Sequence, residues 1–335
     1  QIAAPWSLSA QWFENRGPQR SHFVIDPLTS LNPKKDSSIA MMESAQSRGW
    51  KVGVIEDGGL HWSTGAGVRA QVVWITIDRA NKPWYAEVGR EEMALKDLDA
   101  VIMRKDPPFD AEFVTATWLL EQGEREGARV FNSPRAIRDH NEKFTIAQFE
   151  QFVVPTLVSR NAAQLRGFLE QHPDAIAKPL DGMGGTSIFR MKKGDQNVGV
   201  ILETLTDYGR KTAMIQRYIP EIVDGDKRVL LINGEPVPYC LARLPKEGEH
   251  RGNLAAGGTG RAQPLSESDW HIARTLAPEL KKRGLLLVGL DIIGQNLTEV
   301  NVTSPTCFRE IMDQTGFPVA DTFVQAVENA LQEGN

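Results

Sequence analysis

The sequence contains little cysteine and little histidine. Of 335 residues, only Cys240 and Cys307 are cysteines, whereas secreted domains that depend on disulfides carry many more. This usage indicates a reducing compartment, and we expect a cytoplasmic protein. The six histidines show neither an HxxxH spacing nor a Cys/His pair, which argues against a structural zinc site.

Long apolar runs and an excess of basic residues are also missing. The longest apolar run, residues 284–290, is followed by Asp291 and is far shorter than the roughly 20 residues that cross a bilayer. Lys and Arg total 38 against 43 Asp and Glu, a net charge of −5. Non-specific nucleic-acid binding needs a dense basic surface, although an anion can still bind in a locally basic cleft. We therefore expect no membrane and no nucleic-acid partner.

The best-known phosphate-binding motifs are absent too. There is no GxxxxGK[ST] sequence and no kinase HRD or DFG set, which excludes a P-loop or protein-kinase site. Residues 1–20 show neither an initiator Met nor an apolar signal region, and we interpret them as a loosely attached extension. The alternative is a docked terminal arm held by Trp6, Trp12 and Phe13.

The first half of the chain predicts an α/β fold, and the length predicts two or three domains. Residues 23–26 and 51–56 resemble short buried strands, and Asp36 begins a helix that ends before Gly49. A strand, helix and strand in succession predict a parallel sheet with helices on its faces. Further strands are expected at 72–77 and 100–103, and helices at 112–126 and after Ser133.

Two glycine-rich segments follow the change of pattern near residue 150. The glycine loop at 181–187 lies between predicted strands at 176–179 and 188–191, unlike the strand–loop–helix of a P-loop. The segment 244–260 holds five glycines between two apolar regions and is too long for a simple connection, so a mobile functional loop is expected.

Asn233-Gly234 predicts a two-residue hairpin. Its register would pair Arg228 with Tyr239 and Asp224 with Arg243. Because side chains alternate along a strand, Asp226, Arg228 and Arg243 would share one face. The alternative reading of the two arginines is a solvated strand face.

A second hairpin gathers oxygen ligands near the C-terminus. A three-residue loop at 294–296 would pair Ile293 with Leu297 and Asp291 with Glu299, with Asn301 on the same face. Carboxylate and amide oxygens suit Mg²⁺, and acidic groups in such apolar strands need a cation. The alternative is a pair of surface carboxylates. Acidic ligands, paired arginines, a glycine loop and the isolated Lys143 and Lys178 together indicate phosphoryl transfer.

Six motifs, in order and at compatible spacing, resemble the prokaryotic glutathione synthetases, which are ATP-grasp ligases. The likeness runs from about residue 23 to the C-terminus, and the motifs are MRKDPPFD (103–110), NEKF (141–144), KPLDGMGG (178–185), DGDKRVL (224–230), RGNLAAGG (251–258) and GLDIIG with LTEVNVTSPT (289–306). The resemblance implies an N-terminal Rossmann-like domain at 21–142, a central ATP-grasp lid domain at 147–222 and a C-terminal ATP-grasp domain at 223–335.

The resemblance also implies a reaction. ATP would phosphorylate the cysteinyl carboxylate of γ-glutamylcysteine, and the glycine amine would displace phosphate from the acyl phosphate to give glutathione. The cofactors would be ATP and Mg²⁺, with Mn²⁺ as a substitute, and the protein would form a homotetramer. The alternatives are another ATP-grasp carboxylate–amine ligase, such as a peptide-tail modifier or a D-alanyl ligase, and a non-catalytic ATP-binding protein.

Site roles follow from the resemblance, residue by residue. Arg228 and Arg243 would stabilise charge on the transferred phosphoryl group, and Arg251 would meet the dipeptide. Arg104 and Lys105 are candidate contacts for the substrate carboxylates, while Cys307 is expected to be structural. The expected nucleotide-binding residues are Lys143, Lys178, Gly182, Met183, Gly184, Gly185, Gln216, Tyr218, Ile219 and Asp226, and the expected metal ligands are Asp291, Glu299 and Asn301.

Overall fold

Three β-sheets follow one another along the chain in a computed structural model that describes residues 19–333. The predicted extension at 1–20 therefore lies largely outside the described residues, and the first strand begins at Arg20. Within the described residues, no helix is long and apolar enough to cross a membrane.

The first sheet is mixed, with a parallel core. Strands β2, β1, β6 and β7 are parallel neighbours, and β4 runs antiparallel against β2, β3 and β5. Helix α1 (Ser37–Ser47) connects β1 to β2, and the Asp36 carboxylate accepts a hydrogen bond from the Ile39 amide at 2.8 Å, which confirms the predicted strand–helix–strand unit and its N-cap. The strands are β1 (Arg20–Val24), β2 (Lys51–Ile55), β3 (Leu60–Ser63), β4 (Gly67–Ile77), β5 (Tyr85–Ala94), β6 (Ala100–Met103) and β7 (Val130–Phe131).

One face of this sheet is covered by helix α2 (Ala111–Arg125), which buries Phe113 and Leu120 against the strands. Helix α3 (Pro134–Asp139) begins behind Ser133 as predicted, with proline at its first position. A run of 3₁₀ turns, Phe144–Phe152, then leads into the second sheet.

The second sheet is fully antiparallel and carries the glycine loop. Its order is β10-β9-β11-β8, and helices α4 (Ala162–Gln171) and α5 (Val198–Thr206) pack with it. The strands are β8 (Thr156–Ser159), β9 (Asp174–Pro179), β10 (Phe189–Lys192) and β11 (Ala213–Arg217). The glycine loop lies between β9 and β10, so the predicted strand–loop–strand arrangement is confirmed.

The third sheet is antiparallel as well, in the order β14-β13-β12-β15-β16. Helix α6 (Glu267–Lys282) covers one face through Ile272 and Leu276. The strands are β12 (Asp226–Ile232), β13 (Glu235–Leu244), β14 (Thr259–Pro264), β15 (Leu287–Ile293) and β16 (Asn296–Asn301). The predicted long loop connects β13 to β14 and contains one short 3₁₀ helix, Leu254–Ala256.

The last two helices return to the first sheet. Helices α7 (Phe308–Thr315) and α8 (Val319–Glu333) share an apolar core with α1, and Arg48 bonds Asp321 at 2.7 Å. The predicted 223–335 unit thus contains a sheet of its own together with helices that complete the N-terminal core. The domain boundaries themselves remain predictions.

The first hairpin has the predicted turn but a different register beyond it. Asn233 and Gly234 both have positive φ, and Ile232 pairs with Glu235, as a two-residue turn requires. A bulge then adds two residues to β13, so Arg228 faces Leu241 and Asp226 faces Arg243. The predicted pairs Arg228–Tyr239 and Asp224–Arg243 are wrong. Because side chains alternate with period two, a two-residue shift keeps Asp226, Arg228 and Arg243 on one face.

The second hairpin corrects the predicted loop and confirms the key pair. Ile293 pairs with Asn296 and Ile292 with Leu297, so the turn has two residues rather than three. A bulge at Thr298 supplies the missing residue, and its hydroxyl donates to the Asp291 carbonyl at 3.1 Å. Asp291 therefore pairs with Glu299 as predicted, and Asn301 lies two residues further along the same face.

Candidate active site

One face of the third sheet carries a row of charged side chains. Arg228, Asp291 and Glu299 are direct neighbours across β12, β15 and β16. Gly289 lies beside this row, and a Cβ there would come within 2.8 Å of the Arg228 Cδ. Glycine at 289 therefore makes the space through which the arginine side chain extends.

Two arginines converge on Asp291. Arg228 Nε lies 2.6 Å from Asp291 Oδ1, and Arg243 Nη2 lies 2.9 Å from Oδ2. Arg243 also lies 2.8 Å from Asp226 Oδ2, and its Nε donates to the Asp226 carbonyl at 3.1 Å. All four side chains are buried, so each charge depends on its partners rather than on water.

Burial and pairing shift the two carboxyl groups in opposite directions. Burial raises the pKa of Asp226 to about 6, against the lowering effect of Arg243. Burial acts in the same sense on Asp291, but the two arginines outweigh it and hold the pKa of Asp291 well below its usual range. Asp291 is thus a fixed anion that holds two cations in place.

Both predicted lysines lie next to this face. Lys143 is 4% exposed, donates to the Gly182 carbonyl and lies 3.4 Å from Glu299 Oε1. Lys178, 5% exposed in β9, has its pKa lowered by burial, while the charges of Glu299, Asp226 and Asp291 act to raise it. The two ammonium groups thus place positive charge beside the row formed by Arg228, Asp291 and Glu299.

The two glycine-rich segments contact each other above the site. Arg251 Nη1 donates to the Gly185 carbonyl at 3.1 Å, and a Cβ at Gly185 would come within 2.8 Å of the Asn253 Oδ1. Arg251 also bonds Glu249, which lowers the pKa of Glu249 to about 2. The predicted contact of Arg251 with the dipeptide stays a prediction, because here the side chain joins the two loops.

Two clefts open beside these loops. The larger, about 430 Å³, is lined by Arg228, Arg243, Glu299 and Asn301 and by the loop residues Gly182, Met183 and Gly184. The smaller, about 80 Å³, is lined by Lys178, Gln216, Tyr218, Ile219, Asp226 and Arg251. The structure thus places most of the predicted residues in two adjoining clefts that share Glu299 and Asn253, whereas Asp291 and Gly185 line neither cleft.

The MRKDPPFD segment reaches the larger cleft through other residues than those expected. Arg104 is buried with its Nε on the Ser38 hydroxyl at 2.9 Å, and Lys105 pairs with Asp57 at 2.7 Å. Neither lines the cleft, whereas Asp106 does, with a carboxylate that accepts from the Ser304 hydroxyl at 2.6 Å. Their role as substrate contacts stays a prediction, because both cations have internal partners that sequence alone does not show.

Sequence reasoning also missed Glu142. Its carboxylate lines the larger cleft, and burial raises its pKa to about 7. The available signal was its place beside Lys143 in the NEKF motif. Cys307 also lines the larger cleft, although it is buried at the start of α7 and burial raises its pKa. Its structural role stays a prediction.

The oxygen donors on β15 and β16 fit a divalent cation in part. Asn301 donates its Nδ2 proton to the Gly289 carbonyl at 3.0 Å, which leaves Oδ1 as its acceptor, and the Glu299 side chain is 18% exposed. Both Asp291 oxygens already face arginines. No group of three or more His, Cys, Asp or Glu side chains suited to a metal occurs between residues 19 and 333, so a cation here would also need oxygens from a substrate.

Comparison with known proteins identifies the fold and the family. Residues 20–138 match the model of the prokaryotic glutathione synthetase N-terminal domain, and residues 142–316 match that of the prokaryotic glutathione synthetase ATP-grasp domain. The glutathione synthetase of Escherichia coli K12 is 53% identical over 92% of this chain and 98% of its own length. That of Bordetella parapertussis is 56% identical over the same shares.

Solved structures show the same fold at low sequence identity. The D-cycloserine synthetase DcsG superposes with a TM-score of 0.63 at 16% identity, covering 93% of this chain and 99% of its own. The ATP-grasp ligase PsnB, complexed with a minimal precursor, has a TM-score of 0.63 at 18% identity, covering 93% of this chain and 98% of its own. The fold is thus that of the ATP-grasp ligases, and the chain belongs to the prokaryotic glutathione synthetase family.

Proposed function

We propose that this enzyme joins glycine to γ-glutamylcysteine, with conversion of ATP to ADP and phosphate and release of glutathione. Its family supports this reaction, and so does one structural observation. A buried pair of arginines, fixed by Asp291, faces a cleft that two glycine-rich loops border. Such a site suits charge stabilisation on a transferred phosphoryl group, and closure of the two loops would keep water from it.

The smaller cleft would hold the nucleotide. Gln216, Tyr218 and Ile219 would border the adenine, and Asp226 would accept from the ribose. Lys178 reaches the inner end of this cleft and Lys143 lines the adjoining one, and both would contact phosphate oxygens. The backbone amides of residues 182–185 would cover the phosphates, since successive N–H groups in a glycine loop form an anion site.

Glu299 and Asn301 would hold the divalent cation, Mg²⁺ or Mn²⁺, together with phosphate oxygens. Asp291 as a third ligand remains a prediction, because its oxygens hold the arginines in this structure. When bound, the cation would neutralise charge on the triphosphate.

The arginines would act in both chemical steps. A carboxylate is a poor electrophile, and phosphorylation turns one of its oxygens into a leaving group. Arg228 and Arg243 would first stabilise the phosphoryl group in transfer and then the oxyanion formed when the glycine amine attacks the acyl phosphate. The contact between Arg251 and Gly185 keeps the loops together, which would protect the acyl phosphate from water.

The test is an assay of phosphate and glutathione with Mg²⁺, ATP, γ-glutamylcysteine and glycine. Both products should form in equal amounts, and omission of any one substrate should stop glutathione formation. Replacement of glycine by D-alanine or glutamate, and of the dipeptide by a longer peptide, separates this reaction from those of other ATP-grasp ligases. Phosphate release that ignores glycine, or ligation of another amine only, would refute the proposal. Cytoplasmic location and a homotetramer remain predictions.

A further inference from the structure

Glu142 lies outside the proposed chemistry, yet it makes three contacts with one strand end. Its carbonyl accepts from the Val300 amide at 2.8 Å. Its carboxylate accepts from the Val302 amide at 3.0 Å and from the Thr303 hydroxyl at 2.6 Å. One residue thus binds the end of β16 with both its backbone and its side chain.

These contacts lie along β16, at one edge of the third sheet. Strand β16 is the last strand of the third sheet and pairs with β15 alone. An edge strand presents outward amides at alternate positions, here at Val300 and Val302. Glu142 accepts a hydrogen bond from both amides. It therefore takes the place of a neighbouring strand beside Glu299 and Asn301.

The residues on either side of Glu142 reach the glycine loop. Asn141 Nδ2 donates to the Leu180 carbonyl at 3.1 Å, and Lys143 bonds the Gly182 carbonyl and pairs with Glu299. Three consecutive side chains therefore connect the strand of proposed metal ligands to the loop that would cover the phosphates.

We propose that Glu142 is a positioning residue that fixes Glu299 and Asn301 relative to Lys143 and the glycine loop, so that the metal-dependent part of nucleotide binding depends on it. The inference rests on the proposed function, because it assumes that the two β16 side chains bind a cation. In this proposal Glu142 acts through its bonds to Val300, Val302 and Thr303 rather than as a ligand. Its effect passes through the edge of β16.

The experiment measures ADP affinity by calorimetry with and without Mg²⁺ on the full chain. In the wild type, Mg²⁺ should tighten ADP binding. In Glu142→Ala, the ratio of ADP affinities with and without Mg²⁺ should be at least tenfold smaller than in the wild type. The ADP affinity without metal should stay within threefold of wild type. A residue needed only for folding would weaken both affinities together.

Glu142→Gln supplies the conservative rescue. Its amide oxygen can accept from the Val302 amide, and its amide nitrogen can donate to the Thr303 hydroxyl, so both bonds survive. The enhancement should remain within threefold of wild type. Glu124→Ala is the matched control, since Glu124 is a half-buried carboxyl on α2 whose pKa burial also raises to about 7, and it should leave the enhancement unchanged.

Thr303→Val serves if Glu142→Ala does not fold, because it removes only the bond to Oε1, and a severalfold loss of enhancement is expected. Full Mg²⁺ enhancement of ADP binding in Glu142→Ala would overturn the inference. If Glu142→Ala does not fold, full enhancement in Thr303→Val would overturn it instead. A Glu142→Gln variant as defective as Glu142→Ala would also overturn it. A wild-type chain whose ADP affinity ignores Mg²⁺, and which makes no glutathione, would overturn the proposed function itself.

Discussion

Replacement of Arg243 by methionine tests whether this side chain stabilises the reacting groups or only balances buried charge. The methionine side chain would keep much of the buried volume and remove the cation that lies 2.8 Å from Asp226 and 2.9 Å from Asp291. Loss of one partner from a buried ion pair costs about 3–5 kcal/mol of folding stability. At the roughly 2–4 °C per kcal/mol of a domain of 150–250 residues, Arg243→Met should lower Tm by about 6–20 °C.

The catalytic cost should be separable from this loss. Removal of one oxyanion donor costs about 3–4 kcal/mol of barrier, or 10²–10³ in kcat. In the double variant Asp226→Asn/Arg243→Met, Arg228 and Asp291 form a balanced pair, so much of the lost Tm should return. The kcat should stay low, because restored charge balance does not replace the guanidinium that Arg243 contributed to the cleft.

The assay is kcat for glutathione formation at saturating ATP, beside Tm by calorimetry, for the wild type, Arg243→Met, Asp226→Asn and the double variant. Saturating ATP is needed because Asp226 also lines the smaller cleft, so its replacement should raise the KM for ATP. A double variant that regains both Tm and kcat would show that Arg243 serves charge balance alone and would refute its assigned role in the reaction.

Three further changes test the loops, a buried histidine and the cation. Gly185→Ala should raise the KM for ATP and release phosphate without ligation, because its Cβ would strike Asn253. The control is Gly194→Ala, since Gly194 has a similar positive φ but nothing lies within 4 Å of its Cβ position. This control should behave as wild type in a coupled phosphate and glutathione assay. Burial lowers the pKa of His22 to about 4, whereas its pKa in the unfolded chain is near 6.5. The free energy of unfolding should therefore fall by about 3 kcal/mol as the pH drops from above 6.5 to 4. Denaturant titrations of His22→Phe should lack this part of the loss, and a pH profile equal to that of the wild type would contradict the assignment. EDTA should abolish turnover and Mg²⁺ restore it, with Glu299→Gln needing more Mg²⁺ for half-maximal rate; equal Mg²⁺ requirements would remove Glu299 from the cation site.

Local sequence signals predicted turns and faces better than pairing partners. Asn233-Gly234 identified the first turn because positive φ at both positions favours few residues. The bulges in the two hairpins leave no such signal, because an extra residue in one strand carries no turn-forming residue type of its own. Two-residue periodicity still placed Asp226 and Arg228 on one face, because a shift of two residues does not change sides.

In the second hairpin the predicted loop length was wrong, although the predicted pair of Asp291 with Glu299 was right. A two-residue turn without a bulge would have placed Asp291 and Glu299 on opposite faces. The bulge at Thr298 restores the parity, and the Thr298 hydroxyl supports it through the Asp291 carbonyl. The apolar residues around both carboxylates were the reliable signal, since they required the acidic groups to meet a cation. The contacts of Glu142 and Arg104 could not be predicted, because their partners lie far away in the sequence.

Contacts within the protein hold both arginines in place, which bears on their proposed role in the reaction. Asp291 fixes both guanidinium groups at ion-pair distance within a buried site, so in the proposed reaction their orientation would cost no rearrangement. Fixed donors in a site of low dielectric stabilise developing charge more than mobile donors in water do. The cost of burying the two cations is met during folding, through pairs with Asp226 and Asp291. An exposed arginine in the same position would have to lose its water and its rotamer freedom during each turnover, and would contribute less to the rate.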